Sequence, residues 1–334
     1  MAVDRNARIC ILGKALASPA MALAKEAGAE VFLSNSYLQD EDLQAFLSDH
    51  QPDAIILRLG KVDGAAMAAA PNLKIIAKHG VGYDTIDLAA ASRRGVVVSI
   101  ATGANAISVA EHSLALMLGV ARQLTWLDAR MRSGHWDKAD FLGAELHGKT
   151  LGIVGIGAIG RHLAGICRAL GMDVIVYDPA LPKSATLDYP RTGSLDDLLR
   201  QSDVISLHCP LNPATKNMIS ATQLQMMKPG AILINTARGG LVDIDAVLDA
   251  LNADRIGGVG LDTFPEEPPE LVEALTRQRK LVVSPHVGAS TVEAGERVGM
   301  LAMQQVLDCL AGNPIDGRYV VNADPVETRA GALG

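Results

Sequence analysis

Aromatic residues are scarce in this chain: Phe, Tyr and Trp together make up 3% of 334 residues. The apolar share of 49% must therefore come from Ala, Leu, Ile and Val, as in alanine-rich helices laid over aliphatic strands. Cysteine is nearly as rare. Cys10, Cys167, Cys209 and Cys309 form no CxxC pair, which excludes a metal site or dithiol of that type, and a chain this long needs no disulfide staple. Cys10 and Cys167 lie in apolar stretches and read as small core residues. A basic excess is also missing: the net charge is −7, which argues against a nucleic-acid partner. No apolar run approaches the ~18 residues of a membrane span. The N-terminus enters the apolar run Arg8-Ile9-Cys10-Ile11-Leu12-Gly13 with no secretory signal ahead of it, so a cytoplasmic protein without a membrane partner is expected.

What the chain does contain is alternation. Apolar strand-like runs at 9–12, 30–33, 54–57, 74–77 and 96–99 are separated by helical stretches at 18–27, 40–48 and 87–94, each opening on a capping residue type. A second series places strands at 151–154, 173–177, 203–207, 231–235, 258–261 and 281–284, the number in a full dinucleotide-binding sheet. Strands separated by helices imply right-handed crossovers and parallel sheets, hence an α/β protein with two doubly wound domains. Between the series, residues 105–132 read as one long helix, with Val109, Leu116, Val120, Leu124 and Leu127 at three- and four-residue steps. A helix over 292–311 and a short strand at 318–321 belong to neither series and are expected to return to the first domain. The expected division is 1–103 with 293–334, and 104–292.

The strand at 151–154 runs into Gly155-Ile156-Gly157-Ala158-Ile159-Gly160 and then a helical run through Leu170. This is GxGxxG in the strand–turn–helix setting that gives the motif its meaning. Gly155 permits the tight turn, Gly157 lets a pyrophosphate approach the backbone, and Gly160 lets helix and strand pack closely. The helix start at Ala158 and Ile159 adds unpaired N–H groups and partial positive charge. The next strand ends at Asp178, 178 − 155 = 23 residues after the first glycine. A carboxylate there accepts hydrogen bonds from ribose hydroxyls and repels the 2′-phosphate of NADP, so the expected cofactor is NAD. The plainer role for Asp178 is a turn cap. The nearest following lysine, Lys183, is five residues on.

Three polar residues follow strands of the second series, on the side where open α/β sheets bind ligands. Arg238 follows the strand ending at Asn235, Glu267 follows Leu261-Asp262, and His286 follows Ser284-Pro285. Oxidising a secondary alcohol requires a group that takes the hydroxyl proton, a task suited to imidazole beside a carboxylate. A substrate carboxylate calls for a planar, bidentate cation, which favours arginine. Glu266 and Glu270 fit a solvated acidic loop, and Cys209 reads as pocket wall rather than nucleophile.

These residues also carry a family pattern. Lys78-His79-Gly80-Val81-Gly82-Tyr83-Asp84, Val109-Ala110-Glu111-His112, the glycine loop, His208-Cys209-Pro210-Leu211, Asn235-Thr236-Ala237-Arg238-Gly239, Leu261-Asp262, Glu267-Pro268 and Ser284-Pro285-His286-Val287-Gly288 together resemble the D-isomer-specific 2-hydroxyacid dehydrogenases. The resemblance implies a Rossmann NAD-binding domain inserted in a discontinuous, flavodoxin-like substrate domain. It implies that Arg238 orients the substrate carboxylate, that His286 is the acid/base and that Glu267 tunes it. Asp262 would hold the nicotinamide carboxamide, with Thr236, Ala237 and Gly288 also at the cofactor. His208, Cys209 and Pro210 would line the adenine side, with Thr215 near a phosphate or ribose. His79, Gly80, Val81 and Gly82 would offer backbone N–H groups to the substrate carboxylate, and Arg58, Lys78 and Asn105 match substrate-facing positions of the phosphoglycerate enzymes.

The expected substrate is a small 2-hydroxy or 2-oxo acid, and the expected assembly a homodimer through the 105–132 helix. Phosphoglycerate stands ahead of hydroxypyruvate and glyoxylate; Lys78 keeps the charge, though not the fork, of the arginine common in phosphoglycerate enzymes. Glu267 argues against a formate dehydrogenase, where glutamine pairs with the histidine, while phosphite dehydrogenases keep a similar triad. A C-terminal serine-binding regulatory domain is not expected in 334 residues. The rival from another class is an NAD-sensing transcriptional co-repressor on the same scaffold.

Overall fold

Short apolar strands alternate with polar-capped helices throughout the computed structural model, which describes residues 7–182, 184–270 and 278–322. Lys183 and the chain ends lie outside the described residues. The chain divides into two units, Met1–Asn105 with Thr291–Gly334, and Ala106–Ser290.

The first unit runs β1 (Arg8–Leu12), α1 (Ser18–Glu26), β2 (Glu30–Leu33), α2 (Asp40–His50), β3 (Ala54–Leu57), α3 (Gly64–Ala68), β4 (Ile75–Lys78), α4 (Leu88–Arg93) and β5 (Val97–Ile100). Asp63 and Asp87 set where α3 and α4 begin, their carboxylates accepting the N–H groups of Ala66 and Ala90. The strands pair in parallel in the order β2-β1-β3-β4-β5, a doubly wound sheet. β3 is buried at every position because both faces are covered. Leu43, Leu47, Met67 and Ala91 cover one face. Ala20 and Ala24 cover the other, together with Ala302, Met303 and Val306 of the returning helix Val292–Leu310. Gln305 of that helix accepts from Ser99 Oγ at 2.8 Å and donates to the Ile100 carbonyl at 3.1 Å. The strand expected at 318–321 is instead a 3-10 turn, Gly317–Tyr319, followed by a single antiparallel bridge between Ser99 and Val320. Asp316 accepts the Arg318 N–H and so commits these residues to a turn.

The second unit runs α5 (Ala106–Ala121), α6 (Leu124–Arg132), β6 (Thr150–Val154), α7 (Ala158–Ala169), β7 (Asp173–Tyr177), α8 (Leu195–Gln201), β8 (Val204–Leu207), α9 (Ala221–Met226), β9 (Ile232–Asn235), α10 (Ile244–Asn252), β10 (Gly258–Leu261) and β11 (Leu281–Val283). The single helix expected over 105–132 is therefore two. Gln123 turns left-handed at φ 47°, and the Ala144 N–H takes the Ala121 carbonyl at the end of α5. The parallel sheet has the order β11-β10-β9-β8-β6-β7. Beyond β7, Val176 donates to Pro190 O and accepts from Thr192 N, so one bridge at Arg191 stands where a third strand extends the Rossmann order. Among the described residues no helix is long and apolar enough to cross a membrane.

The sheet carries α5 unusually close. A Cβ at Gly260 would lie 2.9 Å from Leu116 Cβ, and one at Gly258 would overlap Val120 Cγ1. Two strand positions are thus left bare so that a helix can sit on them. Gly258→Ala should destabilise the protein by about 1–3 kcal/mol through overpacking, read as a lowered urea midpoint. Gly165→Ala, whose Cβ meets nothing within 4 Å, is the control. An unchanged midpoint for Gly258→Ala would mean that α5 is not seated this way.

Candidate active site

The glycine loop sits where the sheet order reverses, between β6 and β8. Gly155 has φ +91°, and a Cβ there would lie 2.8 Å from the His208 carbonyl oxygen. A Cβ at Gly160 would overlap the Gly155 carbonyl oxygen. Gly157 is different: its Cβ position meets nothing within 4 Å, so bare backbone faces open space. It is the N-cap of α7, and no side chain caps that helix. The first-turn N–H groups are left for an anion. The loop therefore fits a dinucleotide pyrophosphate. Asp178 accepts from Ile156 N at 2.9 Å and from Ala180 N at 3.0 Å, so it caps a turn and pins the loop together.

The strip after β8 is held by its own side chains. Thr215 Oγ1 donates to Pro210 O at 2.7 Å and accepts from Asn212 N at 2.8 Å. Burial pushes the Cys209 thiol up to about 11, and it lies 3.6 Å from Met218 Sδ, unsuited to nucleophilic work. His208 Nε2 meets Ser206 Oγ at 2.8 Å, whereas its buried Nδ1 has no partner among the described residues.

Three loops carry the polar constellation. After β9, Asn235 accepts the Ala237 N–H and donates to the Arg238 carbonyl, setting the turn from which Arg238 projects; Arg238 Nη1 reaches Ala237 O at 2.7 Å. A Cβ at Gly239 would overlap the Phe264 carbonyl, so the loop leading to Glu267 lies directly on the Arg238 loop. Glu267 Oε1 accepts from Phe264 N, and Oε2 lies 2.7 Å from His286 Nδ1. The structure thus brings Glu267 and His286 into contact. His286 itself has φ +52°, a left-handed conformation costing a non-glycine residue about 1–2 kcal/mol. Its N–H donates to Asp262 O at 2.7 Å.

Asp262, expected at the nicotinamide carboxamide, is enclosed by protein donors. Its side chain is 2% exposed, and it accepts from Ser284 Oγ, Val287 N and Gly288 N at 2.6–2.9 Å. Burial raises its pKa, but the hydrogen bonds from His112, Ser284, Val287 and Gly288 outweigh that and hold it below the usual carboxylate range. Ser284 and Val287 share its Oδ1, and Gly288 takes its Oδ2. Thr236 is also buried, 2.8 Å from Ser113 Oγ. His112, Ser113 and Ser284 went unassigned in the sequence. The available signal was a run of polar residues on an otherwise apolar helix face.

In the first unit, Lys78 Nζ lies 3.4 Å from the Arg58 carbonyl oxygen, and Arg58 Nη1 donates to the carbonyls of Lys14 and Ala15. His79 N and Gly80 N donate to Leu57 O and Lys78 O, so those two N–H groups are not available to a substrate; Val81 and Gly82 N–H have no partner among the described residues. Burial first, then the charges of Arg58 and Lys78, push His79 down to about 4. Asn105 is buried, and its Oδ1 has no partner among the described residues.

Residues 114–288 match the model of the D-isomer specific 2-hydroxyacid dehydrogenase NAD-binding domain. The chain belongs to this family. It is 40% identical over 277 residues to a D-3-phosphoglycerate dehydrogenase of Archaeoglobus fulgidus, covering 82% of this chain and 52% of that one. It is 38% identical over 281 residues to a hydroxypyruvate reductase of Thermotoga maritima, covering 83% and 90%. A crystal structure of a protein from Thermus thermophilus superposes with TM-score 0.85 at 34% identity, covering 94% of this chain and 99% of that one. The chain spans about half the length of the phosphoglycerate dehydrogenases it matches.

His208 is one source of acid sensitivity in the second unit. Burial pushes His208 down to about 4, below its ordinary value near 6.5. Between those values the unfolded chain binds a proton that the folded chain refuses, so stability is full above pH 6.5 and declines as pH falls toward 4. At pH 5 the loss due to His208 should be about 1–2 kcal/mol. His208→Gln should flatten the dependence of Tm on pH between 7 and 5; an unchanged slope would refute this assignment.

Proposed function

We propose that this chain is an NAD-dependent dehydrogenase that interconverts a small D-2-hydroxy acid and its 2-oxo acid, with 3-phosphoglycerate chemistry foremost and hydroxypyruvate or glyoxylate as alternatives. The observation that carries the reading is the 2.7 Å contact between His286 Nδ1 and Glu267 Oε2. It fixes the ring and leaves Nε2, which has no partner among the described residues, to exchange a proton with the substrate oxygen. NAD, when bound, supplies the hydride acceptor for C2, and its reduced form the donor. Arg238 offers a planar guanidinium for the substrate carboxylate. Asp178 favours ribose hydroxyls over a 2′-phosphate, while the glycine loop and the α7 N-terminus take the pyrophosphate. Within the first unit, Arg58 and Lys78 carry positive charge suited to a phosphorylated acid, and Val81 and Gly82 carry N–H donors. The names of the two curated relatives support both substrate readings.

The test is NADH oxidation against 3-phosphohydroxypyruvate, hydroxypyruvate, glyoxylate, pyruvate and a bulky apolar oxo acid. Turnover of the phosphorylated acid above the others is expected, with NADH preferred to NADPH. His286→Asn should retain NADH binding and lose about 100-fold or more in kcat. Normal turnover in that variant would sink the acid/base role, and an NADPH preference would sink the role of Asp178. Silence across the panel with tight NADH binding would point to an unusual substrate or to the co-repressor type of function.

We further infer a homodimer formed through the α5–α6 segment. α6 buries none of its residues, and Leu124, Met131, Trp136 and Leu142 are 53–93% exposed along 19 consecutive residues, 124 to 142. Such a cluster is what a second copy would cover. Light scattering should give twice 35.0 kDa, falling toward one copy in the double variant Trp136→Ser, Leu142→Ser. A wild-type mass of one copy would overturn the inference.

A further inference from the structure

We propose that His112, on α5, is a positioning residue for the reaction, fixing through Ser284 and Asp262 the left-handed turn that presents His286. The inference rests on the acid/base reading of His286.

The register of α5 on β10 puts His112 in place. His112, Leu116 and Val120 lie four residues apart and so share one helix face. Four helical residues advance about 6 Å, and two strand residues about 6.6 Å, so the two rows stay in step. Val120 sits over Gly258 and Leu116 over Gly260. The next step pairs His112 with Asp262, and there Nε2 lies 3.4 Å from Oδ1. Two bare glycines are followed by a carboxylate, and two aliphatic residues by an imidazole.

The hydrogen bonds then run in one direction. Ser284 Oγ donates to Asp262 Oδ1 at 2.6 Å, so its oxygen is left to accept from His112 Nε2–H at 2.8 Å. Asp262 takes the N–H groups of three successive residues: His286 on its carbonyl, Val287 and Gly288 on its carboxylate. A Cβ at Gly288 would lie 2.9 Å from Asp262 Oδ2 and 3.4 Å from His112 Cδ2, so the turn closes directly on this pair. His286 keeps its unfavourable φ because everything around it is tied to Asp262, and Asp262 is oriented from the helix side by His112 and Ser284.

The alternative is a buried histidine that merely satisfies a serine. That role would lower stability and cofactor binding together and leave the chemistry alone. A positioning role lowers kcat selectively. His112→Ala should reduce kcat by about 10- to 100-fold, the cost of a small misplacement of the reacting group, with the NADH Kd within about twofold of wild type. His112→Gln, whose amide N–H stands near the place of Nε2–H, should recover most of that loss. Ser284→Ala should resemble His112→Ala, and the double variant should be no worse than either, since both act through one path. In the cofactor-free protein, amide exchange over residues 284–288 should accelerate about tenfold or more in His112→Ala and return in His112→Gln. Unchanged kcat, unchanged exchange, multiplying losses in the double variant, or a loss that glutamine does not rescue would each overturn the proposal. An inactive His286→Asn beside fully active His112 variants would refute this inference alone, whereas a fully active His286→Asn would refute the reading on which it rests.

Discussion

The closeness of α5 to β10 is the constraint on which the second unit's chemistry depends. Glycine in a central strand forfeits side-chain packing and conformational restriction, and is a poor choice for strand stability in isolation. Here Leu116 and Val120 of the helix fill the space that side chains at 260 and 258 would have occupied, so burial is kept while the two backbones approach. That approach has a consequence at the strand end. Short side chains on the helix, His112 and Ser113, can reach Ser284, Asp262 and Thr236 directly. A helix at ordinary distance would need long, rotamer-rich side chains to do the same, and would hold the loops less firmly.

The second constraint is a buried charge. A carboxylate with a nearly inaccessible side chain is costly unless donors surround it. Asp262 has Ser284, two backbone N–H groups and His112 around it, enough to keep it ionised. The same donors that stabilise the charge belong to the segment that must be held, so satisfying Asp262 and shaping the His286 turn are one event. The pair proposed to exchange the proton is arranged the other way round: the side chains of His286 and Glu267 remain 49% and 38% exposed. An accessible acid/base pair on a dry, fully bonded frame is what a reaction on a diffusing substrate requires.

Much of this was legible in one dimension, and the parts that were not share a cause. Alternating apolar runs with capping residue types such as Ser18 and Asp87 announced two parallel sheets, because strand period and capping chemistry are local properties. The glycine loop was legible for the same reason. The break at Gln123 was not: apolar residues continue at helical steps through Leu124 and Leu127, and nothing in that spacing records a left-handed residue. The reduction of the sheet's third strand to one bridge at Arg191 is likewise a matter of pairing, not composition. His112 and Ser113 received no role from the sequence, because their partners lie about 120 to 170 positions away. Asp262 was visible as a polar residue after a strand, but whether its oxygens face inward or toward a ligand depends on donors brought in by two other elements.

Strand order adds one more argument for the proposed use of the site. Read across the sheet, the loops after successive strands carry Asp178 at β7, the glycine loop at β6, His208 to Pro210 at β8, Arg238 at β9, Asp262 and Glu267 at β10, and His286 at β11. Neighbouring strands lie about 4.8 Å apart, so the row from β7 to β11 extends roughly 24 Å. With Asp178 proposed for the ribose and the α7 start for the phosphates at one end, and the pair proposed for proton exchange at the other, the row matches the polarity of an extended dinucleotide whose reactive ring is remote from its adenosine. The chain reaches this arrangement by reversing its winding once, between β6 and β8, so that the glycine loop and the proton-exchanging pair come to lie on opposite sides of β8. Had the strands followed one another in simple sequence, β7 would separate β6 from β8, and Asp178 would stand between the phosphate loop and the reacting groups instead of beyond it. In the proposed arrangement the topology, as much as any side chain, would set which end of a bound cofactor meets His286.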